Sequence, residues 1–388
     1  MAKIACLKEG VANERRCAML PINVKGYTRL GAEVLVESGI GEGIFISDEE
    51  YIVAGAKVLE SRKKLLEDAD IVLLVNKLPK EEIPTLKGKT VISFLDPFQS
   101  LEYVQLLSQY QVTSLSMEMI PRTTRCQKMD ALSSQASLAG YTMVIKAMSE
   151  LQTVLPMMMT AAGTIRPAKV FVIGAGVAGL QAIATAKRMG AAVTAFDTRS
   201  VVAEQVRSLG AKFLDIDLGE TGQTAQGYAQ ELTKEQVQKQ KEAQAKCIAE
   251  SDIVITTAQL FGRKPPVLID LDTISAMKPG SVIVDMAAEN GGNVEGSVGG
   301  KTTVIDQVTV IGTGNWSNEV ALNASQMYAN NLFHLVSEFW QQETNEFTVN
   351  LDDEIQSNAV ITHQGDVTNS AIRALCEPAT PEPVEEAS

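Results

Sequence analysis

Residues 121–140 read PRTTRCQKMDALSSQASLAG and gather two Arg, two Gln, an Asp and three Ser into twenty positions. Guanidinium groups are planar forks of donors, a Gln amide offers both an acceptor and an NH2, and an ionised Asp only accepts. Arg122, Gln127, Asp130 and Ser133 together suit a planar polar ligand that must be met by donors and acceptors at once, and a carboxamide is such a ligand. With a helix starting near Met129, Asp130 and Ser133 lie three residues apart on one face, while Arg122, Arg125 and Gln127 belong to the loop before it.

A second stretch, VFVIGAGVAGLQAIATAKRMGAAVTAFDTR (170–199), has a strand ending at Ile173, glycines at 174, 176 and 179, a helix to Met189, a second strand to Phe196, and an acid at its end. This is the order a dinucleotide-binding fingerprint requires. Gly174 permits the tight turn, Gly176 lets backbone N–H groups approach a pyrophosphate, and Gly179 lets helix and strand pack closely, with the helix N-terminus adding partial positive charge. Asp197 can accept both ribose hydroxyls of NAD and would repel a 2′-phosphate. Arg199, two residues on, could in principle hold that phosphate, so NADP stays open beside NAD. In a two-domain α/β chain the 121–140 loop is expected to face the cleft beside the cofactor, where its groups match a nicotinamide carboxamide.

The missing residue type narrows the chemistry. Oxidising an alcohol or amine by hydride loss also removes a proton and calls for a general base. The chain has two His, His334 and His363, neither near the glycine loop in sequence. Lys77 and Asp96, both at strand ends, could act instead. Hydride exchange between two nicotinamides moves no proton at the reacting carbons and needs only orienting groups. Three readings stand: an amino-acid dehydrogenase using Lys77 and Asp96, direct hydride exchange, or a module that binds NAD without turnover.

These groups need elements to position them. The 388 residues are 45% hydrophobic and 21% charged, enough for two or three globular domains. A net charge of −13 disfavours nucleic acid as a partner. Five scattered Cys without CxxC spacing give no disulfide framework and no metal site. The first residues, MAKIACLKEG, lack the apolar core of a signal peptide, and the most apolar stretch, near Leu155–Leu180, is broken by Arg166, Pro167 and Lys169, so no membrane span is expected. Candidate strands at 3–6, 33–37, 70–75, 90–95 and 112–117 alternate with helical patterns. A second series follows at 169–174, 192–197, 211–215, 252–258, 281–287 and 308–312. Alternation of this kind predicts an α/β chain of two doubly wound parallel-sheet (Rossmann-like) domains. A helical pattern over 131–160, with Leu138, Tyr141, Ile145 and Met148 on one apolar face, links them, and a second over 317–340 crosses back. The expected domains are 1–135 with 325–365, and 136–324, followed by a Pro- and Glu-rich disordered tail at 366–388. The segment 217–247, with seven Gln and four Lys, reads as an exposed helix after a loop or as a mobile lid.

QKMDALSSQ (127–135) resembles the loop of the proton-translocating NAD(P) transhydrogenases, with its Q-x-M-D-x-L-S-S-Q core. The likeness continues through GAGVAGLQAIATAKRMGA, AFDTR, ITTAQLFGRKPPVLI, VIVDMAAENGGN and GTGNWSN, to about residue 365. It matches their NAD(H)-binding domain I, and alanine dehydrogenases share the architecture, with NERRCAMLP and DIVLLVNKL similar to both. The resemblance implies that NAD(H) is held on this chain and hydride passes to NADP(H) on a separate subunit, while a membrane proton-channel subunit couples the transfer to proton movement. It implies a homodimer on the cytoplasmic side, attached to the membrane through its partners. It assigns Arg122, Gln127, Asp130 and Ser133 to orienting the nicotinamide, with Lys128 and Met129 in the same loop. Gly174, Gly176, Val177 and Gly179 go to the pyrophosphate and Asp197, Thr198 and Arg199 to the adenosine ribose. Gly227, Tyr228 and Gln240 belong to a mobile loop that closes over NAD, with Gln259 lining the site. Two departures stand out: Gln259 sits where the family usually has an apolar residue, and Asp96 replaces the catalytic His of alanine dehydrogenases, whose substrate-binding Lys is matched by Lys77.

Overall fold

The computed structural model describes residues 1–219, 232–259 and 262–376. Gly227 and Tyr228 lie outside these described residues. The chain divides into two compact units, Met1–Leu132 with Ala321–Ser388, and Ser133–Val320. The crossings fall at Leu132/Ser133 and Val320/Ala321, where residues 135 and 325 were expected.

The first unit is built on an eight-stranded sheet in the order Asp366–Val367, Val360–His363, Thr113–Ser116, Thr90–Ser93, Ile71–Leu73, Lys3–Cys6, Glu33–Glu37, Lys57–Leu59. Its six N-terminal strands are parallel. Runs such as IVL (71–73) and TSLS (113–116) are buried along their whole length because helices cover both faces. The two strands from the chain's end run antiparallel and close one edge. Helix Ala321–Glu338 packs Ala321, Tyr328, Leu332, Leu335 and Val336 into this unit's core, along one helical face.

Strand order reverses between Lys3–Cys6 and Ile71–Leu73, the point where open α/β sheets form a ligand crevice. Protein groups take that place here. The Glu9 carboxylate accepts from the Val75 amide (2.7 Å), the Asn76 amide (3.0 Å) and Asn76 Nδ2 (3.1 Å). Asn76 Nδ2 also reaches Glu14, whose buried carboxylate pairs with Arg16 at 2.7 Å. Burial lifts the Glu9 carboxyl to about 7, outweighing its amide donors, whereas Arg16 is the chief cause that holds Glu14 down at about 2 against its own burial. Stability should therefore respond in opposite senses. Glu9 holds a proton in the folded state that the unfolded chain releases near pH 4.5, so its contribution falls as pH rises from 4.5 to about 7. The Glu14 contribution is present above pH 4.5 and is lost as pH falls toward about 2. Urea unfolding at pH 5 and pH 8 is expected to show a loss to which Glu9 contributes at most about 3 kcal/mol, so the loss is smaller in Glu9→Gln. An identical pH response in that variant would remove Glu9 as the cause.

The second unit carries a seven-stranded sheet ordered Lys212–Phe213, Ala192–Phe196, Lys169–Ile173, Ile253–Thr256, Val282–Asp285, Val308–Ile311, Thr302–Ile305. All neighbours are parallel except Thr302–Ile305, which runs antiparallel at the edge. The chain enters at the centre with Lys169–Ile173, winds outward one way, then returns to wind the other way from Ile253–Thr256. Both units are thus doubly wound α/β sheets, each finished by antiparallel edge strands absent from the sequence reading.

Three expectations change. The helix expected over 131–160 ends at Glu150, ahead of Pro156, and Met158–Thr160 with Gly163–Ile165 forms an exposed hairpin. The apolar face of that helix is turned from the expected one. Ala139, Met143 and Ala147 are buried, while Tyr141 is 42% exposed. Contact here is made through small residues, since a Cβ on Gly140 would lie 2.2 Å from the Ala178 carbonyl oxygen. Finally, the expected disordered tail does not begin at residue 366. Asp366–Val367 pairs with Val360–His363, and helix Ser370–Cys376 buries Ile372 against the first unit's core. Residues 377–388 of that tail lie outside the described residues.

Candidate functional site

In the second unit the three glycines have three separate structural reasons. Gly174 has φ +98°, a left-handed turn that a side chain would strain, and a Cβ there would meet Thr257 Oγ1 at 2.5 Å. A Cβ on Gly179 would sit 1.8 Å from the Gly174 carbonyl oxygen, because helix Val177–Arg188 begins directly against the turn. Among the described residues, the one atom that a Cβ on Gly176 would meet is Arg199 Nη2, at 3.9 Å. Space beside Gly176 is therefore open for a group to approach the backbone, and the helix starts there with no acid in its first turn and Lys187 and Arg188 in its last. Val177, at the first helical position, is 38% exposed.

The turn is braced by residues the sequence reading passed over. Thr257 donates its hydroxyl to the Gly174 carbonyl (3.1 Å), and its amide to the Ile173 carbonyl (2.8 Å). Fully buried Asp285 accepts from the Thr256 hydroxyl and from the amides of Ala287, Asn293 and Val294, and Asn293 Nδ2 donates to the Ala258 and Pro266 carbonyls. These bonds lock together the loops that follow strands Ile253–Thr256 and Val282–Asp285. The available signal was an acid and a Thr at the carboxyl ends of adjacent strands, where ligands of doubly wound sheets bind.

Asp197, 8% exposed at the end of Ala192–Phe196, bonds the loop itself: its Oδ2 accepts the Ala175 amide at 2.7 Å. Arg199 adds its own amide to Oδ1 (2.9 Å) and clamps the carboxylate with Nε (2.9 Å) and Nη2 (2.8 Å). Those bonds to Asp197 raise the Arg199 pKa. Thr198 between them is partly exposed. Asp197→Asn removes a charged acceptor from both the turn and any ribose hydroxyl, so NADH binding is expected to weaken by about 1.5–3 kcal/mol, read by isothermal titration. An unchanged dissociation constant would end the ribose role.

Gln240 lies on helix Lys234–Glu250 and is 2% exposed. One turn later, Gln244 is fully buried with neither amide atom hydrogen-bonded. Of the expected lid, this helix is described and is capped by Thr233, while Gly227 and Tyr228 fall outside the described residues. Gln259 is partly exposed in the loop after Ile253–Thr256. Ser133 lies in the helix that opens the unit and is partly exposed.

In the first unit, the loop before that helix is anchored from below. Cys126 and Met129 are buried in the core, the Met129 amide bonds the Cys126 carbonyl (2.8 Å), and Asn331 Nδ2 holds the Lys128 carbonyl (2.8 Å). Gln127 and Lys128 are exposed on the anchored loop, whereas the Met129 side chain is committed to the core. The helix begins at Ala131, so Asp130 precedes it. Arg122 Nε lies 4.0 Å from Asp130 Oδ2. Arg125 has another use: it binds Glu338 and Asp353 at 2.7 Å each and stacks over Phe339. Only one of the loop's two arginines thus pairs inside the polar cluster.

Lys77 and Asp96 are neighbours in this unit, 3.9 Å apart, and Lys77 donates to Ser100 Oγ at 2.6 Å. Asp96 has φ +46°, its amide is held by the Glu118 carboxylate, and its own burial raises its pKa against the Lys77 charge. His334 and His363 belong to the same unit. His363 Nδ1 bonds the Thr113 hydroxyl, and burial lowers the pKa of each. Among the described residues no group of three His, Cys, Asp or Glu is arranged to hold a metal.

Two family models cover this chain nearly end to end. The alanine dehydrogenase/PNT N-terminal domain matches residues 5–139, and the C-terminal domain matches residues 143–370. The chain belongs to the alanine dehydrogenase/PNT family. Within the family it is 42% identical to the first part of NAD(P) transhydrogenase subunit alpha from Rhodospirillum rubrum, over 95% of this chain and 98% of that one. It is 41% identical to the Rickettsia prowazekii protein of the same name, over 97% and 99% of the two chains. The transhydrogenase crystal structure from Sinorhizobium meliloti superposes with a TM-score of 0.82 at 40% identity, covering 95% of this chain and 99% of that one. An L-alanine dehydrogenase shares the fold, with a TM-score of 0.79 at 22% identity over 96% and 98% of the chains. This alanine dehydrogenase/PNT family member is therefore an oxidoreductase-family chain of the transhydrogenase alpha-subunit kind.

Proposed function

We propose that this chain is the NAD(H)-binding component of a proton-translocating transhydrogenase, exchanging hydride with NADP(H) carried on a separate subunit while a membrane subunit moves the proton. The glycine turn closed by Asp197 carries this reading: among the described residues, its one open glycine position, Gly176, leaves the backbone approachable where a pyrophosphate would lie. When bound, NAD(H) supplies the hydride. The protein's own groups bind and orient. Gly174, Gly176, Val177 and Gly179 present backbone amides and a helix N-terminus to the phosphates. Asp197, Thr198 and Arg199 surround the ribose. Arg122, Gln127, Asp130 and Ser133 hold the carboxamide and its ring, on a loop whose Lys128 and Met129 supply backbone and anchorage. Gly227, Tyr228 and Gln240 close over the cofactor and Gln259 lines the site. None serves as nucleophile or base, and holding the two reacting carbons close is the main source of rate.

The exposed hairpin supports a homodimer. Met157, Met158, Met159 and Ile165 are 61%, 43%, 73% and 47% exposed, a cluster of apolar side chains that a second copy of the chain would cover. Met159→Glu is expected to shift sedimentation from dimer to monomer, and a wild-type monomer would remove the assignment. No helix among the described residues is long and apolar enough to cross a membrane.

The test mixes this chain with its NADP-binding subunit and follows NADPH-driven reduction of an NAD analogue with a distinct absorbance. Fast turnover that needs both proteins supports the proposal. The Lys77–Asp96 contact keeps a second reading, alanine dehydrogenation, in view. NAD reduction by this chain with alanine as sole donor, and no exchange with the partner, would replace the first reading by the second.

A further inference from the structure

The Asp197 carboxylate has no acceptor capacity left. A carboxylate offers about four lone-pair sites. Here they are filled by the Ala175 amide and Arg199 Nη2 on Oδ2, and by the Arg199 amide and Arg199 Nε on Oδ1. The two backbone donors are fixed by the glycine turn and by the turn after the strand. The two side-chain donors sit at the end of a rotatable side chain, so they are the ones an incoming pair of ribose hydroxyls would displace. Among the described residues, the same guanidinium is the nearest group to the position beside Gly176, at 3.9 Å. It therefore stands over the glycine turn as well as on the acid. Both partners are largely buried, with side chains 13% and 5% exposed, so solvent screens the pair little.

We propose that Arg199 is a latch on the ribose subsite: its guanidinium occupies the acceptor sites of Asp197 that the adenosine ribose takes, so NAD(H) binds in competition with an internal ion pair. The inference rests on the NAD(H) reading of this loop. It also assigns Arg199 a role in cofactor choice. A paired Asp197 carries a neutralised charge and rejects a 2′-phosphate weakly, and the displaced guanidinium can meet that phosphate. An unpaired Asp197 repels it fully.

The experiment measures NADH, ADP-ribose and NADPH binding to the full chain by isothermal titration, in wild type, Arg199→Ala and Arg199→Gln. Thermal melts check that each variant is folded, and the Gln variant retains most of the side-chain volume should the Ala variant fail. Expected is a dissociation constant for NADH and ADP-ribose lower by roughly tenfold in the variants, with the preference for NADH over NADPH increased. NADH binding that is unchanged or weaker in the folded variants overturns the latch, because Arg199 would then be neutral or a direct cofactor contact. Tighter NADH with an unchanged preference overturns the role in cofactor choice. Wild-type protein that binds no NADH overturns the NAD(H) reading itself, and the latch with it.

Discussion

Replacing Gly179 by alanine is expected to destabilise the second unit and to abolish NADH binding at cofactor concentrations that saturate wild type. The added Cβ would stand 1.8 Å from the Gly174 carbonyl oxygen and 2.8 Å from its carbon. Both obstacles are backbone, so no rotamer relieves the clash. Either helix Val177–Arg188 moves off the sheet or the turn at Gly174 is displaced, and the Thr257 hydroxyl and Asp197 contacts move with it. Overpacking of this kind costs about 1–3 kcal/mol of stability, and a binding loop shifted by an ångström loses on the order of 100-fold in function. Gly176→Ala supplies the contrast. Among the described residues its Cβ meets a guanidinium alone, at an ordinary 3.9 Å, so the free protein should melt as wild type does and still bind NADH poorly. Calorimetric melting and NADH fluorescence titration separate the two. Wild-type binding by Gly179→Ala would mean that the turn does not hold the cofactor.

Arg122→Ala is expected to slow hydride exchange by roughly 100-fold while leaving the NADH dissociation constant within about threefold. Arg122 sits beside Asp130 on a loop pinned to the core by Cys126, Met129 and the Lys128 carbonyl, so truncating it removes a polar contact and leaves the anchors in place. The cofactor's phosphates and ribose are assigned to other residues, on the second unit, and should be held as before. Single-turnover exchange with the NADP-binding subunit, beside an equilibrium titration, reads both quantities. Equal losses in rate and affinity would make Arg122 a binding residue and undo its positioning role.

The parallel strands were legible because each buries a short, continuous apolar run: KIAC and EVLVE begin and end where the sequence placed them. The edge strands were not. Thr302–Ile305 alternates exposed and half-buried residues, and Asp366–Val367 spans two residues, so neither offers a run to detect. The buried face of helix Ala131–Glu150 escaped for a different reason. Hydrophobic periodicity points to the large side chains Tyr141 and Ile145, but the packing partner needed small ones, Ala139 and Gly140, that let two helices approach. At the candidate site, the roles of Gly174 and Gly179 follow from a motif with a fixed geometry. Arg125 and Arg122 are indistinguishable by type and local sequence, and only the distant acids Glu338 and Asp353 separate them. The saturation of Asp197 is likewise a matter of counting bonds in three dimensions.

The discontinuity of the first unit sets an order of events at the ribosome. The second unit is one uninterrupted segment, Ser133–Val320, and all of its strands have been made before the first unit is complete. The first unit must wait for Tyr328, Leu332, Leu335 and Val336 to cover its sheet and for Val360–His363 to close its edge. At synthesis rates of about 5–20 residues per second, an apolar sheet made ahead of the whole second unit stays uncovered for many seconds. The nascent chain should therefore fold its later-made unit first, and chaperones should engage the earlier one.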